Sequence, residues 1–340
     1  MMSLAGLQFR MWLLIAVLFS IIYGVVVTVG YSLGIVNSWV YLFLSLAMLF
    51  IQYMIGPKII EWSMRVKYVT KSEQPQLYAM VSELAAASKI PMPKVGIADA
   101  AIPNAFAFGR WKADGRVCVT RGIMNLLSED ELRAVLAHEV SHLKNKDVLT
   151  ITLLSVIPLI LYRIAISTLY YGGGRRREEG NNAALIGMAA MLFYFITNLL
   201  VLYASRIREY FADRGAVSLG CAPKNLASAL YKLVYGSARL DNASLKEVEG
   251  LKAFFANDPS RALNEIKELR QLDLDKSGTL DASELAALSS KKLNIGFAER
   301  LLEIMSTHPN MLKRIKQLSS YSAYKEDKKQ ARGYERINRS

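Results

Sequence analysis

Cysteine, histidine and charge are all scarce in this 340-residue sequence, and each shortage excludes something. Two cysteines, Cys118 and Cys221, cannot staple a disulfide framework, and neither has a Cys-x-x-Cys neighbour. They read as thiols in a reducing compartment. Charged residues make up 21% against 52% apolar, and the apolar ones are bunched rather than periodic, so the composition is not that of a soluble protein. A net charge of +13 raises the question of nucleic acid, but no RNA- or DNA-binding motif accompanies it. Basic residues on the cytoplasmic side of a membrane, facing anionic lipid, account for the excess. Near the N-terminus there is no small-residue cleavage site followed by a soluble domain, so the first apolar stretches read as a retained hairpin.

Four apolar stretches are present, at about 12–30, 39–55, 148–171 and 183–204. Each approaches the length needed to cross about 30 Å of hydrocarbon, the second only just. The third contains Pro158 and Arg163, which leaves a kink or an incomplete crossing as its alternative. The turn at 30–38 is uncharged, whereas Lys58, Arg65, Lys67, Lys71, Lys144, Lys146, Arg206, Arg208 and Arg214 flank the spans on the other side. The bias places those flanking segments in the cytoplasm. Arg175, Arg176 and Arg177 oppose this orientation and are outnumbered.

Between the two hydrophobic pairs, the spacing of Leu77, Met80, Val81 and Leu84 predicts a helix over Gln74–Ser88. Three β signals follow, Val95–Ala98, Ala105–Phe108 and Arg116–Thr120, with Asp114-Gly115 reading as a hairpin turn between the last two. Ser128 and Glu131 make a capping box that opens a helix from Glu129 to about Lys146.

That helix carries His138-Glu139-Val140-Ser141-His142. Residues four apart lie about 40° apart around a helix, so both imidazoles leave one face. Such a pair binds Zn²⁺, and the Glu beside the first His can take a proton from a water there. The motif is short enough to occur by chance on an amphipathic surface helix. Against that, two of only three histidines fall in it, on a capped helix following a hairpin. A hydrolytic zinc needs a third protein ligand, and Glu209 is the candidate, with Asp213 one turn on as hydrogen-bond support for a liganding His. His142 lies just before the third stretch and Glu209 just after the fourth, so two crossings bring them to the same side.

The chain resembles the HtpX-like membrane zinc metalloproteases, relatives of the zinc-dependent CAAX prenyl proteases. The resemblance rests on the paired N-terminal spans, Pro103-Asn104-Ala105-Phe106-Ala107, the His-Glu-x-x-His helix, the second hydrophobic pair, Glu209-Tyr210-Phe211-Ala212-Asp213, and Thr307-His308-Pro309 followed by Arg314. It extends to about residue 320. It implies a membrane α+β fold of about four transmembrane helices with a zincin-like catalytic domain at the membrane surface. It implies one Zn²⁺ held by His138, His142 and Glu209, Glu139 as catalytic base, and ATP-independent cleavage of misfolded or damaged membrane proteins. It also implies His308 beside the metal with Arg314 in support, and a substrate edge strand at Asn104, Ala105 and Phe106. The expected location is a prokaryotic plasma membrane, multi-pass, with the catalytic site facing the cytoplasm. The expected partners are the lipid bilayer and membrane-protein or unfolded polypeptide substrates, with no nucleic acid. A prenyl-protein processing metallopeptidase and a catalytically idle membrane scaffold are the alternatives.

One segment departs from the family pattern. Asp273, Asp275, Ser277, Thr279, Asp281 and Glu284 fall at the ligand positions of an EF-hand-like loop, with Gly278 at the sixth position. An acidic solvated loop is the bland reading, and the demanding register favours a Ca²⁺ site. The expected organisation is a transmembrane hairpin at 1–57, catalytic segments at 58–147 and 205–323 around a second hairpin at 148–204, an EF-hand-like insertion near 260–292 and a charged tail at 324–340.

Overall fold

Alternate side chains of the sheet enter two different apolar clusters. In the computed structural model, which describes residues 38–171, 177–238, 271–291 and 296–321 together with Ile266 and Leu269, four strands pair in the order β1-β2-β4-β3. They are β1 (Val66–Tyr68), β2 (Lys94–Ala98), β3 (Ala105–Phe108) and β4 (Arg116–Thr120). β2 and β4 run parallel, and β1 and β3 lie antiparallel on the outside. Val95, Ala105, Val117 and Val119 join the main core. Ala98, Phe106, Phe108 and Cys118 form a second cluster with Ile60 and Met64. Successive side chains of β3 thus divide between the two clusters, as strand geometry requires.

β3 and β4 form the expected antiparallel hairpin, and Asp114-Gly115 close its connection. Gly115 is extended, with φ −66° and ψ 142°, and a 3₁₀ turn over Lys112–Asp114 lies within the connection. The left-handed residue is Gly109, φ +153°, where a Cβ would lie 2.4 Å from the Asp114 carbonyl oxygen.

The described helices are α1 (Ser38–Ser63), α2 (Pro75–Ser88), α3 (Arg121–Leu126), α4 (Glu129–Asn145), α5 (Asp147–Tyr171), α6 (Arg177–Ser218), α7 (Pro223–Ala238), α8 (Ala282–Ser290), α9 (Phe297–Ile304) and α10 over residues 311–321. Among the described residues, packing divides the chain into two units, one on residues 59–147 and the described residues after 207, the other on residues 38–58 and 148–207. In the first, α2, α4, α7, α8 and α10 supply Leu84, Leu136, Leu230, Leu285 and Ile315 to one continuous core with the sheet. In the second, Leu154, Ile157 and Leu161 of α5 cluster with Val201 and Ala204 of α6. Pro158 lies inside α5 without ending it.

Among the described residues one helix is long and apolar enough to cross a membrane, the Ala184–Ser218 part of α6. The expected first stretch at 12–30, Arg175 and Arg176, and the tail from residue 324 lie outside the described residues.

Candidate metal centre

The site is assembled from α4, α6 and the segment leading into α10. α4 opens with the expected capping box: Ser128 Oγ accepts from the Glu131 amide at 3.4 Å and Glu131 Oε2 accepts from the Ser128 amide at 2.9 Å. The same buried carboxylate accepts from Ser228 Oγ and Lys232 Nζ of α7, at 2.7 and 2.8 Å, which fixes the helix end to the core. Further along α4, His138 and His142 present their Nε2 atoms to each other at 3.1 Å.

α6 continues past its apolar part to deliver Glu209 and Asp213. Glu209 Oε2 lies 3.5 Å from His138 Nε2, and Oε1 lies 3.6 Å from His142 Nε2. A ligand atom from each of His138, His142 and Glu209 lies within 4.8 Å of the others. The two Nδ1 atoms are engaged elsewhere, His138 with Asp213 Oδ1 at 2.9 Å and His142 with Asp147 Oδ2 at 2.5 Å. Two ring nitrogens and a carboxylate gathered this closely call for a cation or protons among them. Burial disfavours a charged His138, but the carboxylates of Asp213 and Glu209 beside it outweigh that and raise its pKa to about 10. The pocket is therefore built to hold positive charge, and two imidazoles with one carboxylate suit Zn²⁺.

Arg314 closes the far side of this arrangement. It is fully buried, pairs with both Asp213 oxygens at 2.9 and 2.7 Å, and lies 3.1 Å from Glu209 Oε2. Burial alone would raise the Glu209 pKa, but the charges of His308 and Arg314 hold it well below the usual carboxylate range. His308 is buried with its Nδ1 3.5 Å from Glu209 Oε2.

Glu139 is buried, and desolvation raises its pKa despite the nearby histidines and a hydrogen bond from the Ala107 backbone. The Thr120 amide donates to the Asn104 carbonyl at 2.9 Å, so alternation turns the Phe106 main chain toward β4 and the Ala105 and Ala107 main chains to the open edge. Among the described residues nothing pairs with that edge. Of the three edge residues expected to meet substrate, Ala105 faces outward, while Asn104 and Phe106 are turned inward and Ala107 takes the next open position.

The EF-hand-like loop lies apart from this centre in the sequence. Oxygens of Asp273, Asp275 and Glu284 come within 4.8 Å of one another. Asp273 accepts from the Ser277 and Gly278 amides, both at 2.9 Å, while Glu284 accepts from the Leu274 and Asp281 amides at 2.6 and 3.0 Å. Asp281 caps α8, its carboxylate accepting from the Glu284 amide at 2.8 Å. Ser277 and Thr279 hydrogen-bond each other at 3.0 Å.

A family model described as Peptidase family M48 matches residues 71–322. The chain belongs to peptidase family M48. It is 54% identical over 228 residues to a protease HtpX homolog of Methanothermobacter thermautotrophicus, across 67% of this chain and 86% of that protein. A protease HtpX homolog of Moorella thermoacetica is 38% identical over 269 residues, 78% of this chain and 89% of the other. The crystal structure of S. mikatae Ste24p superposes with a TM-score of 0.52 at 16% identity, over 91% of this chain and 66% of that one, a little under two thirds of its length. That likeness concerns the fold. As an M48 peptidase of the HtpX type, the protein is a metalloprotease.

Two contacts in this site were not expected from the sequence. Asp147 is the partner of His142, and Ala107 is the anchor of Glu139.

Proposed function

We propose that this M48 peptidase is an integral-membrane zinc endopeptidase with His138, His142 and Glu209 as ligands and Glu139 as general base. The observation that carries this reading is the convergence of the three ligand side chains beside a buried Glu139 tethered to an open sheet edge. Bound zinc supplies Lewis acidity, polarising a carbonyl and making a water acidic near neutral pH. Glu139, its basicity raised by burial, takes the proton from the attacking water and returns it to the departing amine. The Ala107 amide holds that carboxylate in place. The edge at Ala105, with the Ala107 carbonyl beside it, receives an extended peptide by strand addition. His308, placed beside Glu209, donates to the oxyanion of the tetrahedral intermediate. Asp213 orients His138, and Arg314 sets Asp213 and Glu209 rather than touching substrate.

The substrates are unfolded or damaged membrane proteins, met at the membrane into which four helices carry the enzyme. The excess of Lys and Arg flanking those helices supports a multi-pass topology in a prokaryotic plasma membrane with the catalytic unit in the cytoplasm. The deciding experiment measures zinc in the detergent-solubilised protein and casein cleavage before and after chelation. One bound zinc with chelation-sensitive cleavage supports the reading. Full zinc without cleavage indicates a scaffold, and preference for a prenylated peptide indicates a prenyl-protein peptidase.

The loop Asp273–Glu284 is proposed to take Ca²⁺ weakly, at roughly 10⁻⁴–10⁻³ M. Its support is the EF-hand register and the three gathered carboxylates. Calcium titration of the zinc-loaded protein beside Glu284→Gln tests this, and no isotherm up to several millimolar removes it.

A further inference from the structure

Asp147 stands five residues after His142, the wrong distance for a contact along one helix. On an uninterrupted helix residues five apart point about 140° away from each other. Yet His142 Nδ1 and Asp147 Oδ2 are 2.5 Å apart. The chain achieves this by breaking at Lys146, whose φ of 58° and ψ of 39° are left-handed, with its amide closing back on the His142 and Leu143 carbonyls. Lys89 ends α2 in the same left-handed way, so the device is a common helix stop, and here it also redirects the chain at the site. α5 then starts at Asp147, turned so that its first side chain covers His142.

A second contact fixes the same residue from α6. Arg208 NH1 donates to the Asp147 carbonyl oxygen at 3.0 Å and stands 4.0 Å from its carboxylate. Arg208 directly precedes Glu209, so one helix holds both the third ligand and the clamp on the residue that orients the second. The two histidines are supported differently. Asp213 shares its charge with Arg314 in two short bonds, whereas the Asp147 carboxylate has its closest bond with His142 itself.

We propose that Asp147 is the positioning residue for His142, placed by the left-handed Lys146 and locked to the Glu209 helix by Arg208. Resting on the metal-centre reading above, this role has a consequence for zinc affinity that a helix cap does not share. Asp147 could serve merely as an N-terminal residue of α5, a position where Asn and Ser substitute well. Asp147→Asn and Asp147→Ser therefore preserve the cap while removing the charge or the reach.

The test is zinc affinity by competition with a chromophoric chelator, with thermal unfolding of the metal-free protein measured beside it. Asp147→Asn and Asp147→Ser are expected to weaken zinc binding about ten- to hundredfold, with Ser the larger loss, and to leave metal-free unfolding nearly unchanged. Lys146→Val, which resists the left-handed conformation, is expected to approach the same loss, and Lys146→Gly, which adopts it freely, to escape it. Combining Lys146→Val with Asp147→Ser should add little, because the two act through one contact. Wild-type zinc affinity in both Asp147 variants overturns the proposal, as does full additivity of the double variant. If the wild-type protein itself fails to bind zinc, or His138→Ala binds it as tightly, the metal-centre reading has failed instead.

Discussion

Gly215 of α6 lies so close to Ser141 of α4 that a Cβ on it would stand 2.3 Å from the serine Oγ and 2.7 Å from its Cβ. Ser141 is between the two zinc-binding candidates His138 and His142, and Gly215 follows Glu209 and Asp213 on the same helix. The glycine thus sets how near α6 comes to α4, and with it the distance from Glu209 to the histidines. Gly215→Ala must push the helices apart, at an overpacking cost of about 1–3 kcal/mol. The expected outcome is a less stable protein with zinc affinity lowered by about tenfold or more, the scale of misplaced ligand support. Adding Ser141→Gly to that variant makes room on the opposite helix and should restore most of the affinity. An alanine variant that binds zinc as tightly as wild type would show that this contact does not set the site.

Glu139→Gln separates metal binding from proton transfer. Gln keeps the shape and can still accept from the Ala107 amide, but it cannot take a proton from water. Zinc content should stay at the wild-type level while casein cleavage falls by about 10²–10⁴-fold. Cleavage near the wild-type rate would place the base elsewhere.

The zinc-ligand candidates were legible because a four-residue spacing on a capped helix has one geometric meaning, and because so few histidines compete for it. Asp147 was not legible. A five-residue spacing points away from His142 on any regular helix, and nothing about a lysine announces a left-handed break. Strand β1 escaped notice for a different reason. Val66–Tyr68 is three residues long and mostly exposed, so it shows no alternation. The Asp-Gly pair marked the hairpin, but its local signal does not give the shape of the connection, which Gly109 and Asp114 binding Arg110 and Arg116 set. The open positions of β3 depend on which residues bond β4, a matter of register that one strand does not carry.

The capping box makes a prediction about pH. Burial would raise the Glu131 pKa, but the hydrogen bonds from Lys232, Ser228 and Ser128 lower it overall. A folded-state pKa below the unfolded value of about 4.3 adds stability above that pH. The contribution is lost as pH falls through the folded-state pKa. Glu131→Gln should therefore destabilise the chelator-treated protein at neutral pH by about 1–2 kcal/mol, the scale of a lost cap and charged hydrogen bond. The difference between variant and wild type should shrink as the pH drops through the acid range. Unfolding curves in urea at neutral and acidic pH check this, and a difference independent of pH would mean that packing, not charge, is what the substitution removes.

Arg314 offers the sharpest separation of structure from metal binding. It is fully buried, and its guanidinium neutralises Asp213 through two bonds and Glu209 through a third. Arg314→Met fills much of the space but leaves two carboxylates facing His138 with no permanent cation. Breaking a buried pair from one side costs about 3–5 kcal/mol, so the metal-free protein should lose that much stability. Zinc brings its own charge to the same carboxylates. The rise in Tm on adding zinc should therefore be larger for Arg314→Met than for wild type, provided the metal is kept well above its dissociation constant. Arg314→Lys carries the charge but cannot span both carboxylates in the fork geometry, and should fall between the two. Arg314→Met combined with Asp213→Asn removes the excess negative charge and should recover part of the metal-free stability. An equal rise in Tm with zinc for wild type and Arg314→Met would mean that the arginine and the metal do not share these carboxylates.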